Sequence, residues 1–131
     1  MKNILLVEDT KEIYQMVLQS VDKIGELSWA KCLDEAATLL NENDYNLLIL
    51  DVELPDGNGI EFCSSIQSTH PHVPILFLTI HTNLAEKSSA FTAGAEGYIT
   101  KPFTPPELRE RIWSVDDSAN NLALLELLAE K

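Results

Sequence analysis

The sequence predicts an α/β fold in which a doubly wound, five-stranded parallel sheet carries helices on both faces. Three observations support this prediction. Several short segments are apolar throughout rather than alternating, which is typical of parallel strands that are buried on both sides. Segments with the apolar spacing of helices lie between them. The two kinds of segment alternate along the chain, so a helical crossover joins consecutive strands.

The predicted strands are short, as expected for a domain of 131 residues. Four of them are recognised from their apolar runs, of which the last is the weakest, and the second strand is a further candidate. In chain order the strands are Ile4–Val7, Leu27–Lys31, Leu47–Leu50, Ile75–Leu78 and Gly97–Ile99.

Helices are predicted after each strand. The last begins at the segment TPPE, where Thr104 is a suitable N-cap, Pro105 occupies the first helical position and Glu107 can complete a capping box. The other four follow from residues that recur at intervals of three and four. These residues are Ile13, Met16, Val17, Ser20, Val21 and Ile24; Leu33, Ala36, Ala37 and Leu40; Ile60, Cys63 and Ile66; and Leu84, Ser88, Phe91 and Ala95.

Polar residues follow the predicted strands at one edge of the sheet. Glu8 and Asp9 follow the first strand, Asp51 the third, Thr79 the fourth, and Lys101 lies near the end of the fifth. In such sheets, ligands bind outside the carboxyl ends of the strands. In the flavodoxin-like strand order 2-1-3-4-5, strands 1 and 3 are neighbours, followed by strands 4 and 5. The three carboxylates are therefore expected to converge.

This convergence predicts a metal site and a phosphoryl-transfer site. Three carboxylates at close range repel one another, and each resists ionisation. Bound Mg²⁺ resolves the repulsion because it prefers oxygen ligands and is typically held by one or two carboxylates plus a phosphate. Lys101 supplies a fixed positive charge, and Thr79 supplies a hydroxyl donor. An acid nucleophile, a metal and a lysine are the groups that phosphoryl transfer to a carboxylate requires.

Over about residues 2–114, the chain resembles the receiver domain of bacterial two-component response regulators. The resemblance lies in four motifs that occur in the same order, LLVEDT, LLILDVELPDGNG, PILFLTIH and GYITKPF. It implies a cytoplasmic signalling switch that catalyses only its own phosphorylation and dephosphorylation, and is otherwise not an enzyme. It also implies a sensor histidine kinase or a phosphotransfer protein as partner.

The resemblance assigns the metal and acceptor roles. Asp51 would accept a phosphoryl group from the phosphohistidine of a kinase. Glu8, Asp9, Asp51 and the backbone carbonyl of Glu53 would surround Mg²⁺.

The resemblance also assigns the residues that respond to phosphorylation. Thr79 and Tyr98 would be the switch pair, which relays the change to the face formed by helix 4, strand 5 and helix 5. Lys101 would contact the phosphoryl group, and the bond between it and Pro102 would be cis, as is common in the family.

One position departs from the family pattern. The residue after the threonine is usually small, but here it is Ile80, which borders the predicted phosphorylation pocket. A bulky side chain there would hinder an attacking water, unless it tilts outward. Glu53 and His81 occupy positions that tend to tune the lifetime of the phosphoryl group in receivers.

Composition excludes some functions. The formal net charge is −12 with only nine Lys and Arg, so direct nucleic-acid binding by this chain is disfavoured, because phosphate contacts need basic residues. The charge suits metal cations or basic partner surfaces. Cys32 and Cys63 show no metal-ligand spacing, which indicates a reducing compartment. No apolar run reaches ~18 residues, so no membrane span is expected.

The domain boundary is predicted near residue 114, with residues 1–114 forming the receiver domain and 115–131 forming a C-terminal tail or the start of a linker. The segment from Asn120 to Lys131 is predicted to be helical, with a stripe of leucines that would contact the domain or a second copy. A homodimer or an output-domain contact is therefore expected. A stand-alone receiver and a piece of a longer chain both fit the sequence.

Two other functions also fit part of the pattern. A phosphohydrolase of the haloacid-dehalogenase type also uses an aspartate, Mg²⁺ and a lysine, but it normally has a second aspartate where this chain has Glu53. A degenerate receiver that only binds partners is the other, and the intact set of acids argues against it. Turnover of small phosphate esters would identify the first, and failure to react with a phosphodonor would identify the second.

Overall fold

The computed structural model describes residues 2–80 and 84–115. Five strands form one parallel sheet in the order β2-β1-β3-β4-β5, as predicted. The sheet strands are β1 (Lys2–Val7), β2 (Gly25–Ala30), β3 (Leu47–Asp51), β4 (Ile75–Thr79) and β5 (Gly97–Thr100).

The helices follow the strands, as the alternating pattern predicts. The last one begins after Thr104, whose hydroxyl accepts a hydrogen bond from the backbone N–H of Glu107 at 3.3 Å. The Glu107 carboxylate accepts from the same hydroxyl at 3.1 Å. The helices are α1 (Lys11–Ser20), α2 (Leu33–Glu42), α3 (Gly59–Thr69), α4 (Leu84–Thr92) and α5 (105–115).

The sheet separates two hydrophobic clusters. Residues of α2, α3 and α4 pack on one face, and residues of α1 and α5 pack on the other. All five residues of β3 and all five of β4 are buried, which explains why these strands are apolar throughout. The carboxyl ends of the central strands therefore rest on a rigid, close-packed base.

Element ends differ from the sequence prediction where backbone pairing extends beyond the apolar residues. Strands β1 and β2 begin two residues earlier than predicted because Lys2 pairs with Gly25. Helix α1 ends at Ser20, before the predicted Ile24, and the chain then turns through Lys23, whose φ is 68°. Among the residues 85–92 of α4, whose burial is described, Ala90 is buried, whereas Phe91 is 48% exposed. The helix therefore presents a different face from the one that its spacing predicted.

Candidate functional site

A cleft of about 500 Å³ lies at the carboxyl ends of β1, β3 and β4. This is the edge of the sheet at which the sequence predicted the site. Its lining contains nearly all of the predicted site residues within the described ranges, together with four others. The lining residues are Glu8, Asp9, Thr10, Ile13, Asp51, Glu53, Leu54, Pro55, Thr79, Ile80 and Lys101.

Three carboxylates converge in this cleft. Glu8, Asp9 and Asp51 each offer an oxygen, and these oxygens all lie within 4.8 Å of one another. Glu8 and Asp51 are buried, with 1% and 6% of their surface exposed, whereas Asp9 is exposed. The cluster arises because β1 and β3 pair in parallel, so the acids that follow them meet at one edge.

Lys101 lies opposite the two buried acids. Its Nζ is 2.8 Å from Oε2 of Glu8 and 3.2 Å from Oδ2 of Asp51. The residue follows β5, and the peptide bond that joins it to Pro102 is cis. The lysine partly neutralises the two buried acids, and the third acid of the cluster, Asp9, is exposed.

The two buried acids differ in acidity. Burial raises the pKa of Asp51 to about 6, and the nearby charge of Glu8 adds to this effect. Burial also acts to raise the pKa of Glu8, but hydrogen bonds from Lys101 and Thr10 hold it below its ordinary value. Oε1 of Glu8 accepts from the hydroxyl of Thr10 at 2.7 Å and from its backbone N–H at 3.2 Å. Burial lowers the pKa of Lys101, but Glu8 and Asp51 raise it by more.

The donor set fits a hard divalent cation. Carboxylate oxygens are the ligands that Mg²⁺ prefers, and three of them lie close enough to share one ion. Charge favours the same conclusion, because one lysine does not balance three carboxylates at this edge.

The loop after β3 is held in place from several sides. Residues Glu53–Leu54 and Gly57–Asn58 form a short antiparallel hairpin, and the backbone N–H of Glu53 donates to Oδ1 of Asp51 at 3.4 Å. Asp56 accepts hydrogen bonds from the first two backbone N–H groups of α2, at 2.8 and 3.0 Å. The loop that borders the acid cluster is therefore fastened to a neighbouring helix.

The predicted switch pair shares a partner. The hydroxyl of Thr79 donates to Oε1 of Glu86 at 3.1 Å, and the hydroxyl of Tyr98 donates to the same oxygen at 3.2 Å. Tyr98 is only 4% exposed, so its ring points inward in this structure. Burial and the charge of Glu86 raise the pKa of Tyr98. Nζ of Lys87 lies 5.3 Å from the centre of the Tyr98 ring.

Two of the three residues predicted to tune the site, Ile80 and Glu53, line the cleft. Ile80 lines the cleft but is 64% exposed, so its side chain borders the site from the outside. Glu53 also lines the cleft. His81 and the predicted helix from Asn120 to Lys131 lie outside the described residues.

Sequence reasoning missed four residues that support the site. Thr10 binds Glu8, Glu86 binds the switch pair, Asp56 caps α2, and Trp29 donates its indole N–H to the backbone carbonyl of Glu8 at 2.6 Å. Thr10 lies within the motif LLVEDT and Asp56 within the motif LLILDVELPDGNG, but neither motif indicated these contacts. The others depend on how separate elements are packed.

Comparisons with known proteins agree with the resemblance that the sequence motifs indicated. The model of the response regulator receiver domain matches residues 4–113. The transcriptional regulatory protein YvrH of Bacillus subtilis is 38% identical over 112 residues, which are 84% of this chain and 47% of that protein. The phosphate regulon transcriptional regulatory protein PhoB of Escherichia coli is 34% identical over 130 residues, 97% of this chain and 57% of that protein.

Solved structures agree with the sequence comparisons. The BeF3-activated receiver domain of DrrB, a Thermotoga maritima protein, superposes with a TM-score of 0.82 at 30% identity, covering 89% of this chain and 98% of that one. The chain spans about half the length of the curated relatives that it matches. Within residues 2–80 and 84–115, no helix is long and apolar enough to cross a membrane.

Receiver domains of response regulators are signalling proteins rather than metabolic enzymes, and phosphorylation and Mg²⁺ binding are typical of them. They interact with histidine kinases and with output domains. The family model covers most of this sequence, and the sheet order and acid cluster agree with it. The chain therefore belongs to the family of response regulator receiver domains.

Proposed function

We propose that this chain is a phosphorylation-dependent signalling switch whose phosphoacceptor is Asp51. The observation that supports this most directly is the cluster of Glu8, Asp9 and Asp51, whose oxygens lie within 4.8 Å of one another, with Lys101 in contact with two of them. Of the three acids, Asp51 lies at the end of the central strand of the sheet, β3, which pairs with β1 on one side and β4 on the other. A nucleophile held there keeps a constant position and direction.

The reaction transfers a phosphoryl group from the phosphohistidine of a sensor histidine kinase or phosphotransfer protein. An oxygen of Asp51 attacks phosphorus, the P–N bond breaks, and the released imidazole nitrogen takes up a proton. Because the pKa of Asp51 is about 6, the carboxylate is mostly ionised at neutral pH and can act as the nucleophile. Lys101 and the hydroxyl of Thr79 would then bind the phosphoryl oxygens, with Lys101 released from part of its pairing with the acids.

We assign Mg²⁺ to the carboxylates of Glu8, Asp9 and Asp51 and to the backbone carbonyl of Glu53. When bound, the metal neutralises charge on the transferred phosphoryl oxygens. The protein's part is to hold the acids: Thr10 and Lys101 orient Glu8, and the hairpin after β3 keeps Glu53 beside Asp51. The exposed Asp9 is the acid nearest to solvent and can meet an incoming hydrated ion.

The output of the switch is assigned to the face formed by α4, β5 and α5. Thr79 ends β4, and Tyr98 lies on β5, so movement of this pair reaches α4 through their shared partner Glu86. A phosphoryl group adds about −1.5 to −2 charges and three acceptor oxygens next to Thr79. Its effect is to shift the balance between two packings of this face. A homodimer or an output domain that binds this face would read the change.

The test is a phosphorylation assay with detection by mass. Acetyl phosphate is added to the wild type, to Asp51→Asn and to Asp44→Asn, with Mg²⁺ and with EDTA. Asp44 is an exposed acid before the amino end of β3, at the opposite edge of the sheet from the cleft. The wild type and Asp44→Asn should gain the mass of one phosphoryl group only with Mg²⁺. Asp51→Asn should gain none. Equal labelling of Asp51→Asn would place the acceptor elsewhere.

A further inference from the structure

Glu86 connects the two hydroxyl groups that respond to phosphorylation. A single oxygen of its carboxylate, Oε1, accepts from Thr79 at 3.1 Å and from Tyr98 at 3.2 Å. Thr79 is 1% exposed and Tyr98 is 4% exposed. The end of the Glu86 side chain that accepts these two hydrogen bonds is therefore protected from solvent. A carboxylate oxygen is a stronger acceptor than the oxygen of a neutral group. Glu86 therefore links the two hydroxyls through one oxygen.

Helix α4 favours a charged carboxylate at this position. Glu86 belongs to the first turn of the helix, where the helix dipole stabilises negative charge. The next residue, Lys87, places its ammonium 5.3 Å from the centre of the Tyr98 ring. Two consecutive residues of α4 thus hold Tyr98, one at its hydroxyl and one at its ring face.

The contact has a direct consequence for the phosphorylation site. A threonine hydroxyl has one proton to donate. While Thr79 donates this proton to Glu86, it cannot donate it to an oxygen of a phosphoryl group on Asp51. Formation of the phosphorylated arrangement therefore requires Thr79 to leave Glu86. The same departure changes the set of donors around the oxygen that holds Tyr98.

We propose that Glu86 is a positioning residue of the phosphoryl site, which competes with the phosphoryl group for the hydroxyl of Thr79 and transmits the outcome to Tyr98. The proposal rests on the proposed function, because it takes Asp51 as the acceptor and Thr79 with Tyr98 as the responding pair. It adds a third member, on helix α4, that opposes the phosphorylated arrangement. Glu86 would thereby set how tightly the domain binds a phosphoryl group or its mimic.

Two substitutions separate the charge of Glu86 from its acceptor oxygen. Glu86→Gln keeps the size and an acceptor oxygen but removes the charge, and Glu86→Ala removes both. If the carboxylate competes for Thr79, beryllofluoride should bind more tightly to Glu86→Ala than to the wild type, by roughly fivefold or more, with Glu86→Gln between them. Ser88→Ala, an exposed change on the same helix, is the control and should bind like the wild type.

A double-mutant cycle tests whether the effect passes through Thr79. Beryllofluoride is titrated with Mg²⁺ into the wild type, Glu86→Ala, Thr79→Val and the double variant, and binding is followed by amide NMR. Thr79→Val should weaken binding, and the gain from Glu86→Ala should disappear when Thr79 is already replaced. Equal binding by Glu86→Ala and the wild type, or a gain that persists in the double variant, would overturn the proposal.

A second measurement separates this proposal from the proposed function. Exchange of the Thr79 and Tyr98 hydroxyl protons with water is measured by NMR in the presence of EDTA, with no beryllofluoride. Exchange should be faster in Glu86→Ala than in Ser88→Ala, and unchanged exchange would overturn the assignment of Glu86. If the wild type does not bind beryllofluoride, the proposed function fails, and this measurement still decides whether Glu86 holds the pair.

Discussion

The indole N–H of Trp29 donates a 2.6 Å hydrogen bond to the backbone carbonyl of Glu8. The indole is itself held between two neighbours: the ring of Tyr14 stacks on it at a centroid distance of 4.1 Å, and Nζ of Lys31 lies 4.9 Å from its centroid. The accepting carbonyl belongs to the peptide that joins Glu8 to Asp9. Trp29 therefore fixes the orientation of the peptide between two of the predicted metal ligands.

Replacement of Trp29 by phenylalanine should weaken Mg²⁺ binding. The phenyl ring keeps the stack on Tyr14 but loses the N–H donor, so the Glu8–Asp9 peptide gains freedom. Loss of an outer partner of a metal ligand typically lowers metal affinity by about tenfold or more. The measurement is a Mg²⁺ titration by calorimetry, with Trp113→Phe as the control, because Trp113 is 53% exposed on α5. If both variants bind Mg²⁺ equally well, Trp29 has no role at the metal.

Replacement of Asp51 by asparagine should stabilise the domain at neutral and higher pH. The pKa of Asp51 is raised to about 6 from its ordinary value of 3.8, so the folded protein binds this proton more tightly than the unfolded chain does. The ionised carboxylate therefore lowers the free energy of unfolding as pH rises from about 4 to about 6 and beyond.

The expected gain for Asp51→Asn is on the order of 2 kcal/mol above about pH 7, falling to nearly zero below about pH 4. Urea unfolding in EDTA at several pH values measures it, with Asp44→Asn as the exposed control. A gain that is equally large at about pH 4 would have a cause other than the ionisation of Asp51.

Replacement of Ile80 by alanine should shorten the life of the aspartyl phosphate. The side chain lines the same cleft as Asp51 and is 64% exposed, and we expect it to restrict the approach of water to a phosphoryl group on Asp51. With the smaller alanine side chain, water can approach the phosphorus atom more freely, because the attack depends on where the water is positioned. The dephosphorylation rate should therefore rise by roughly tenfold. Loss of radiolabel from the phosphorylated protein gives the rate, and Leu18→Ala on α1 is the exposed apolar control. A slower or unchanged rate would exclude a steric role for Ile80.

Replacement of Gly59 by alanine should damage both stability and the site. A Cβ at this position would collide with the backbone oxygen of Asp51, and the N–H of Gly59 also donates to Val52 at 2.7 Å. Since the neighbouring atom is backbone, the strain cannot be relieved by a rotamer change, and a loss of about 1–3 kcal/mol is expected. Thermal unfolding checks it against Ser64→Ala, an exposed change on the same helix. Unchanged stability would mean that the loop can move away freely.

The central strands were predictable because they are buried on both faces, so Leu47–Leu50 and Ile75–Leu78 show no polar residue. The acid cluster then followed from the rule that parallel strands end at one edge. The contacts of Glu86 and Trp29 were not predictable in this way. The Glu86 contact depends on where α4 packs relative to Thr79, and the Trp29 contact requires the register of β2 against β1. Local patterns contain neither quantity.

The two hydrophobic clusters lie on opposite faces of the sheet, which limits how far a rearrangement in one of them spreads to the other. Tyr98 packs in the cluster of α2, α3 and α4, whereas the next residue, Ile99, packs in the cluster of α1 and α5. Close-packed side chains pass strain mainly to their own neighbours. A change at Tyr98 and Glu86 should therefore act mainly on α4 and on the part of α5 that lines a common groove with α4 and β5, and should leave α1 as it was. A partner bound to α1 would meet one surface in both signalling states, so delivery of the signal and its detection would not interfere with each other.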